Sequence, residues 1–156
     1  MDPYHGLPSN VTQRDVAVGD GDGKRPIRMK AISFAWTTPA LLAGAKSVTR
    51  REWPERYARQ FRGGETVLAL NKSYRAKGRA IAVIRLTDDP RLEPDIEAPD
   101  SDYEAEGFAY LAEHPAELPK AARGQVRMTL TREAFDEWRK AGGFSWVIRF
   151  EVVEIL

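Results

Sequence analysis

The chain has 156 residues, with 24 Lys and Arg against 23 Asp and Glu and a formal net charge of +1, a length that fits one domain able to bury a core without covalent staples. It has no cysteine, which excludes disulfides, thiolate metal sites and a cysteine nucleophile, and its two histidines, His5 and His114, are too far apart in sequence to suggest a metal site. No apolar run approaches the roughly 18 residues of a membrane span, and the first residues lack the basic start and apolar centre of a secretory signal, so a cytoplasmic protein without a membrane partner is expected.

Residues 1–28 carry Asp, Gly, Pro, Asn and Ser with little periodicity and read as a flexible lead-in to a single domain over 29–156. Their GDGDG run lacks the full ligand spacing and the closing glutamate of a calcium loop; neither a metal nor a cofactor is expected. Met29 to Trp36 reads as a strand, after which Thr37 or Thr38 caps a short helix with Pro39 in its first turn and Gly44 past its end. Lys46 emerges just after that stop, followed closely by Thr49, Arg50 and Arg51. An amine, a hydroxyl and two guanidinium groups suit either phosphate or base-edge binding, and a lysine of depressed pKa suits activation of a hydroxyl. The plainer alternative is a solvated basic turn. In an extended segment positions 46 and 49 face opposite ways, so cooperation between them requires the chain to turn.

Pro54 to Phe61 reads as a helix pairing Tyr57 with Phe61. Thr66 to Leu70 and Arg79 to Thr87 read as strands bounded by glycines, and the basic loop between them carries one aromatic, Tyr74. Charge is segregated along the chain. Lys46 to Arg85 holds eleven basic against three acidic side chains, a net of +8, whereas Asp88 to Glu106 holds nine acidic against one basic, a net of −8. Such a split either builds a face that attracts phosphates or neutralises itself across the fold.

Ser101 and Glu104 have the spacing of a capping box that would open a helix through YEAEGFAYLAEH. On a continuous helix Glu106 shares a face with Tyr103 and Tyr110, where a desolvated carboxylate would serve proton transfer; the alternative is a wet rim among acidic neighbours. Thr131 to Ala141 reads as a further helix with Phe135 and Trp138 inward, and Ser145 to Ile155 as a strand alternating Trp146, Ile148, Phe150 and Val152 on one face. The order predicts an α+β chain whose strands curl into a small, partly closed barrel.

The opening ISFAW, the LLAGAKSVTRR stretch with its G-x-K-x-x-T-x-R spacing, the glycine-led strand from Gly64 to Leu70, YEAEGF and the closing WVIRFEVVEI together resemble the ASCH domain of the PUA-like superfamily, over roughly 29–156. The resemblance implies a small β-barrel, mixed and mostly antiparallel, with flanking helices and a cleft for RNA, a nucleotide or a modified nucleoside. Some similar single-domain members are amidohydrolases that deacylate N4-acylated cytidine with a lysine, a threonine and a glutamate. By position those would be Lys46, Thr49 and Glu106. Other relatives have been described as ribonucleases, and many have only an inferred binding role. This chain departs from the smallest hydrolytic members in its lead-in and in an acidic insert around Asp88 to Asp102, extras that would narrow the cleft or block a substrate.

Two functions are therefore expected to compete. In the first, Thr49 attacks an amide carbonyl, neutral Lys46 accepts its proton and Glu106 handles protons at the leaving amine. In the second, Lys46, Arg50 and Arg51 contact phosphates while Trp36, Trp53 or Tyr74 stacks an unpaired base. Metal-independent ribonuclease activity ranks behind both. Trp138 and Trp146 fit core packing.

Overall fold

The computed structural model describes residues 11–16, 27–124 and 130–156. Of the lead-in expected over 1–28, residues 1–10 and 17–26 lie outside the described residues, while Val11–Val16 forms strand β1, antiparallel to β2 (Ile27–Ser33). The remaining strands are β3 (Val48–Arg51), β4 (Thr66–Leu70), β5 (Ala80–Leu86), β6 (Arg91–Pro94) and β7 (Phe144–Ile155). They form a 7-stranded sheet in the order β1-β2-β4-β5-β7-β3, with β6 also paired to β7. The β2–β4 pair is parallel and the other described pairs are antiparallel.

The curl comes largely from β7. Its first half lies between β3 and β6, and its second half runs along β5, with a register shift at Val83/Ile84; such a bulge bends a strand and increases its twist. The result is the expected α+β small barrel, mixed and mostly antiparallel, with flanking helices. β3 and β6 were not legible as strands: β3 has four residues dominated by basic side chains, and β6 sits in the acidic insert.

Period-two alternation sorts the apolar residues onto two faces of the sheet. Ile32, Val67, Ala69, Ile84, Ile148 and Phe150 point into the main core, which Trp53 and Phe61 complete. Ala31, Leu68 and Leu70 point the other way into a smaller cluster against which Tyr74 packs. A second large core, with Trp36, Phe108, Leu111, Phe135 and Trp138, joins the helices.

These helices are short: α1 (Thr38–Leu42), α2 (Glu55–Ala58), α3 (Asp102–Ala105), α4 (Phe108–Glu113) and α5 (Arg132–Lys140). α5 matches its expected pattern, with Thr131 accepting a capping bond from the Ala134 amide at 3.1 Å and Phe135 and Trp138 buried. Three local expectations are corrected. The expected strand from Met29 stops at Ser33 and gives way to a 3-10 turn at Ala35–Thr37. Thr37 and Thr38 do not cap α1; their hydroxyls donate backwards, each at 2.7 Å, to the carbonyls of Phe34 and Ala35. The long helix expected from Asp102 is broken at Gly107, whose φ of +88° ends α3 and starts α4, and Ser101 makes no side-chain cap bond.

Candidate functional site

Two backbone devices hold Lys46. After α1 the chain turns through Gly44 at φ +76°, and the Ala45 amide closes the turn on the Ala40 carbonyl at 2.8 Å, a six-to-one closure of the kind that ends helices at a left-handed glycine. Next to it, the Ser47 amide donates to the Ala105 carbonyl at 2.8 Å and the Ser47 carbonyl accepts from the Phe150 amide at 3.0 Å. The segment bearing Lys46 is thus fastened to α3 on one side and β7 on the other.

That fastening brings Lys46 to Glu106, 60 residues later. Lys46 Nζ donates to the Glu106 peptide oxygen at 2.9 Å and to its Oε1 at 3.1 Å, with the two side chains 2 % and 0 % exposed. Glu106 is the last residue before the Gly107 break, not a mid-helix residue on the face of Tyr103 and Tyr110. Tyr103 instead donates its hydroxyl to the Leu130 carbonyl, and Tyr110 stacks on His114.

Strand β3 presents its residues to two faces. Thr49 and Arg51 lie opposite Ile148 and Trp146, on the main-core side; Val48 and Arg50 lie opposite Arg149 and Val147, on the side of α3. Arg50 is buried there, its guanidinium 5.8 Å from the Trp138 ring, donating to Asp102 Oδ2 and at 3.4 Å to Glu106 Oε2. Arg149 donates to both oxygens of Asp102, at 3.1 and 2.9 Å. On the opposite face Arg51 donates to Thr49 Oγ1 at 3.1 Å and to the Ser33 carbonyl, and its guanidinium lies 5.6 Å from the Phe34 ring. Arg51 thereby ties β3, one end of the strand order, to the end of β2.

The segregated charges accordingly meet and partly neutralise each other inside the fold. Burial pushes the Lys46 amine below its ordinary range; Glu106 pulls it back up, and Arg51 and Arg50 push it further down. For Asp102 burial alone would raise the carboxyl, but hydrogen bonds and charge from Arg149 and Arg50 outweigh that and hold it below its ordinary value.

Of the expected site residues, the fold brings Lys46, Arg50 and Glu106 together and adds Asp102 and Arg149, which the sequence reading did not single out. The signal for Asp102 was its spacing four before Glu106, which puts two carboxylates one helical turn apart. Thr49 is buried on the other face of β3, and no hydrogen bond joins it to Lys46 or Glu106; its described partner is Arg51. Two of the three aromatic residues expected to stack a base lie in the cores. Trp53 is 5 % exposed within the main core, stacked on Phe61 at 5.1 Å, and Trp36 is 6 % exposed against Phe108 at 5.9 Å. Tyr74 is half-buried in a 3-10 turn, Tyr74–Ala76. Among the described residues no cluster of His, Cys, Asp and Glu could hold a metal ion, and no helix is long and apolar enough to cross a membrane.

No family model and no curated protein matches the chain. Among solved structures it is similar to the crystal structure of protein EF3133 from Enterococcus faecalis V583, described as DUF984. The two share 17% sequence identity with a TM-score of 0.46, over 78% of this chain and 72% of that one.

Proposed function

We propose that this chain is an ASCH-type protein of the PUA-like superfamily that binds RNA or a modified nucleoside and hydrolyses the amide of N4-acylated cytidine. The observation that carries the reading is the buried contact of Lys46 with Glu106, because it unites the lysine of the G-x-K-x-x-T-x-R pattern with the glutamate of YEAEGF. Lysine and glutamate side by side in a dry setting form an acid–base couple: burial penalises both charged forms, which offsets part of the ion-pair attraction lost when the proton passes from the amine to the carboxylate.

In the form with a neutral amine, the Glu106 carboxyl carries that proton. Thr49 Oγ1 adds to the acyl carbon, its proton passes to Lys46 Nζ, and the Glu106 carboxyl protonates the departing N4 amine, leaving an acyl–Thr49 ester. Water then adds to the ester under the same couple and releases the acid and free Thr49. Thr49 enters on the family pattern, not on a contact. The Arg51 bond occupies an oxygen lone pair and leaves the hydroxyl proton to give. Because the couple is closed to solvent here, substrate entry requires the surrounding contacts to shift.

Incubation with N4-acetylcytidine, followed by absorbance and chromatography, tests the reading. Turnover is expected, with a loss of about 10²- to 10⁴-fold in Lys46→Ala and Glu106→Gln, the usual range for a general acid or base, and a comparable loss in Thr49→Ala but not Thr49→Ser. Absence of turnover on any acylated nucleoside removes it. A protein that binds oligonucleotides without turnover, with affinity falling steeply as salt rises, would instead be a binding module.

A further inference from the structure

Asp102 is a buried carboxylate with no place in the proposed reaction. It stands in the first turn of α3, yet its side chain turns inward and is 2 % exposed, although an acidic residue at that position gains helix-dipole stabilisation without being buried. Its partners are arginines from two different strands: Arg50 of β3 on Oδ2, and Arg149 of β7 on both oxygens. Asp102 also accepts, through its peptide oxygen, the Glu106 amide at 2.9 Å. Asp102 and Glu106 thus project from one turn toward the same guanidinium.

Arg50 divides itself unequally between them. Its contact with Asp102 is the shorter one, and its contact with Glu106, at 3.4 Å, is at the limit of a hydrogen bond. An arginine left alone with a carboxylate settles into a two-pronged pair that takes both oxygens. By engaging one arm of Arg50, Asp102 prevents that, and Glu106 Oε1 stays with Lys46. Resting on the reading of Lys46 and Glu106 as the acid–base couple, we propose that Asp102 is a positioning residue that holds Arg50 back from Glu106 and so keeps the glutamate shared with Lys46. Arg149, whose side chain is 37% exposed, clamps Asp102 from the outer side.

The charged groups that act on Lys46 are Glu106, just past the end of α3, and Arg51 and Arg50 from β3; Asp102 of α3 adjoins them through Arg50, and Arg149 of β7 through Asp102. Loss of the Asp102 charge leaves the cations in excess and frees Arg50 to compete for Glu106. Both effects disfavour the Lys46 ammonium.

The test is made on full-length protein labelled with 13C-lysine, with the Lys46 ε-carbon resonance assigned by its disappearance in Lys46→Arg. In Asp102→Asn that resonance is expected to titrate at lower pH than in the wild type, and in Asp102→Glu to return toward it. In parallel, kcat on N4-acetylcytidine is expected to fall by about a hundredfold in Asp102→Asn, the size of loss that misplacement by an ångström produces, with its pH profile displaced in the same direction and KM little changed. A Lys46 titration unmoved by Asp102→Asn, with only the melting temperature lowered, overturns the proposal. If the wild type shows no turnover but the titration moves as stated, the positioning role stands and the amidohydrolase reading falls. Should Asp102→Asn not fold, the charge-compensated double variant Asp102→Asn, Arg50→Gln serves: with no guanidinium left to compete for Glu106, the Lys46 titration is expected at or above its wild-type position, and a titration lowered despite the loss of Arg50 overturns the proposal equally.

Discussion

Lys46 Nζ reaches both the peptide oxygen and the carboxylate of Glu106, at 2.9 and 3.1 Å, with both side chains withdrawn from solvent. A buried pair of this kind is weak evidence for net stability, because desolvation opposes the attraction. Breaking it is another matter. Lys46→Met leaves the Glu106 charge without its amine partner and is expected to cost about 3–5 kcal/mol, measured by urea denaturation. The double variant Lys46→Met, Glu106→Gln is expected to cost less than the sum of the two single changes, since neither charge is then left alone. Strict additivity would show that the two groups are not coupled.

The depressed Lys46 amine sets a pH dependence of defined sign. Below 10.5, the ordinary lysine value, and above the lowered value in the folded protein, the unfolded chain binds more protons at this position than the folded one. Stability therefore rises with pH through that window. The urea midpoint of the wild type, compared with that of Lys46→Met, is expected to climb as pH increases toward 10.5. Taking the difference removes the buried tyrosines, such as Tyr57, whose hydroxyl burial pushes upward and whose contribution has the opposite sign. A difference that is flat or falls with pH would contradict the assignment.

Asp102 produces an effect of the same sign in acid. Its folded carboxyl lies below the ordinary value of 3.8 despite burial, because Arg149 and Arg50 favour its ionised form. The stabilisation is complete above 3.8 and is lost as pH falls through the folded value. Asp102→Asn, which lacks this stabilisation at every pH, is therefore expected to unfold in acid at a higher pH than the wild type, yet to show a shallower pH slope below 3.8. Circular dichroism across an acid titration reads both quantities.

The long-period features were legible in the sequence, and the short ones were not. β4, β7 and α5 carry enough alternating or helical apolar positions to declare themselves, and their observed bounds fall close to the expected ones. β3 escaped because Thr49, Arg50 and Arg51 carry no apolar alternation. Their strand exists only because β7 offers it an antiparallel edge, a tertiary cause that local pattern does not contain. Likewise the chemistry of Lys46 could be named but not its neighbours: proximity to Glu106 depends on the Ser47 to Ala105 bond and on the break at Gly107. The burial of Trp53 was not legible for a related reason. Its sequence position next to the basic cluster said nothing of its direction, and the strand parity of β3 turns the segment beyond it into the main core.

Gly107 links the sequence motif to this geometry and yields the most discriminating prediction. It has φ +88°, and a Cβ built there would lie 2.5 Å from the Ala40 Cβ and 3.5 Å from the Lys46 Cβ. Two costs then add in Gly107→Ala: a left-handed backbone for a non-glycine residue, about 1–3 kcal/mol, and overpacking against α1, again about 1–3 kcal/mol. Gly44 separates them, because its φ is +76° but nothing lies within 4 Å of its would-be Cβ. Gly44→Ala is expected to incur the backbone cost alone. Equilibrium denaturation should therefore rank Gly107→Ala well below Gly44→Ala, and Ala40→Gly in the Gly107→Ala background should recover the packing part while leaving the backbone part. Since α1 carries the turn that delivers Lys46, the same overpacking should also displace Lys46 from Glu106 and lower turnover of N4-acetylcytidine in Gly107→Ala more than in Gly44→Ala. Equal stability losses at the two glycines would mean that the approach of Gly107 to α1 is not tight enough to hold the pair.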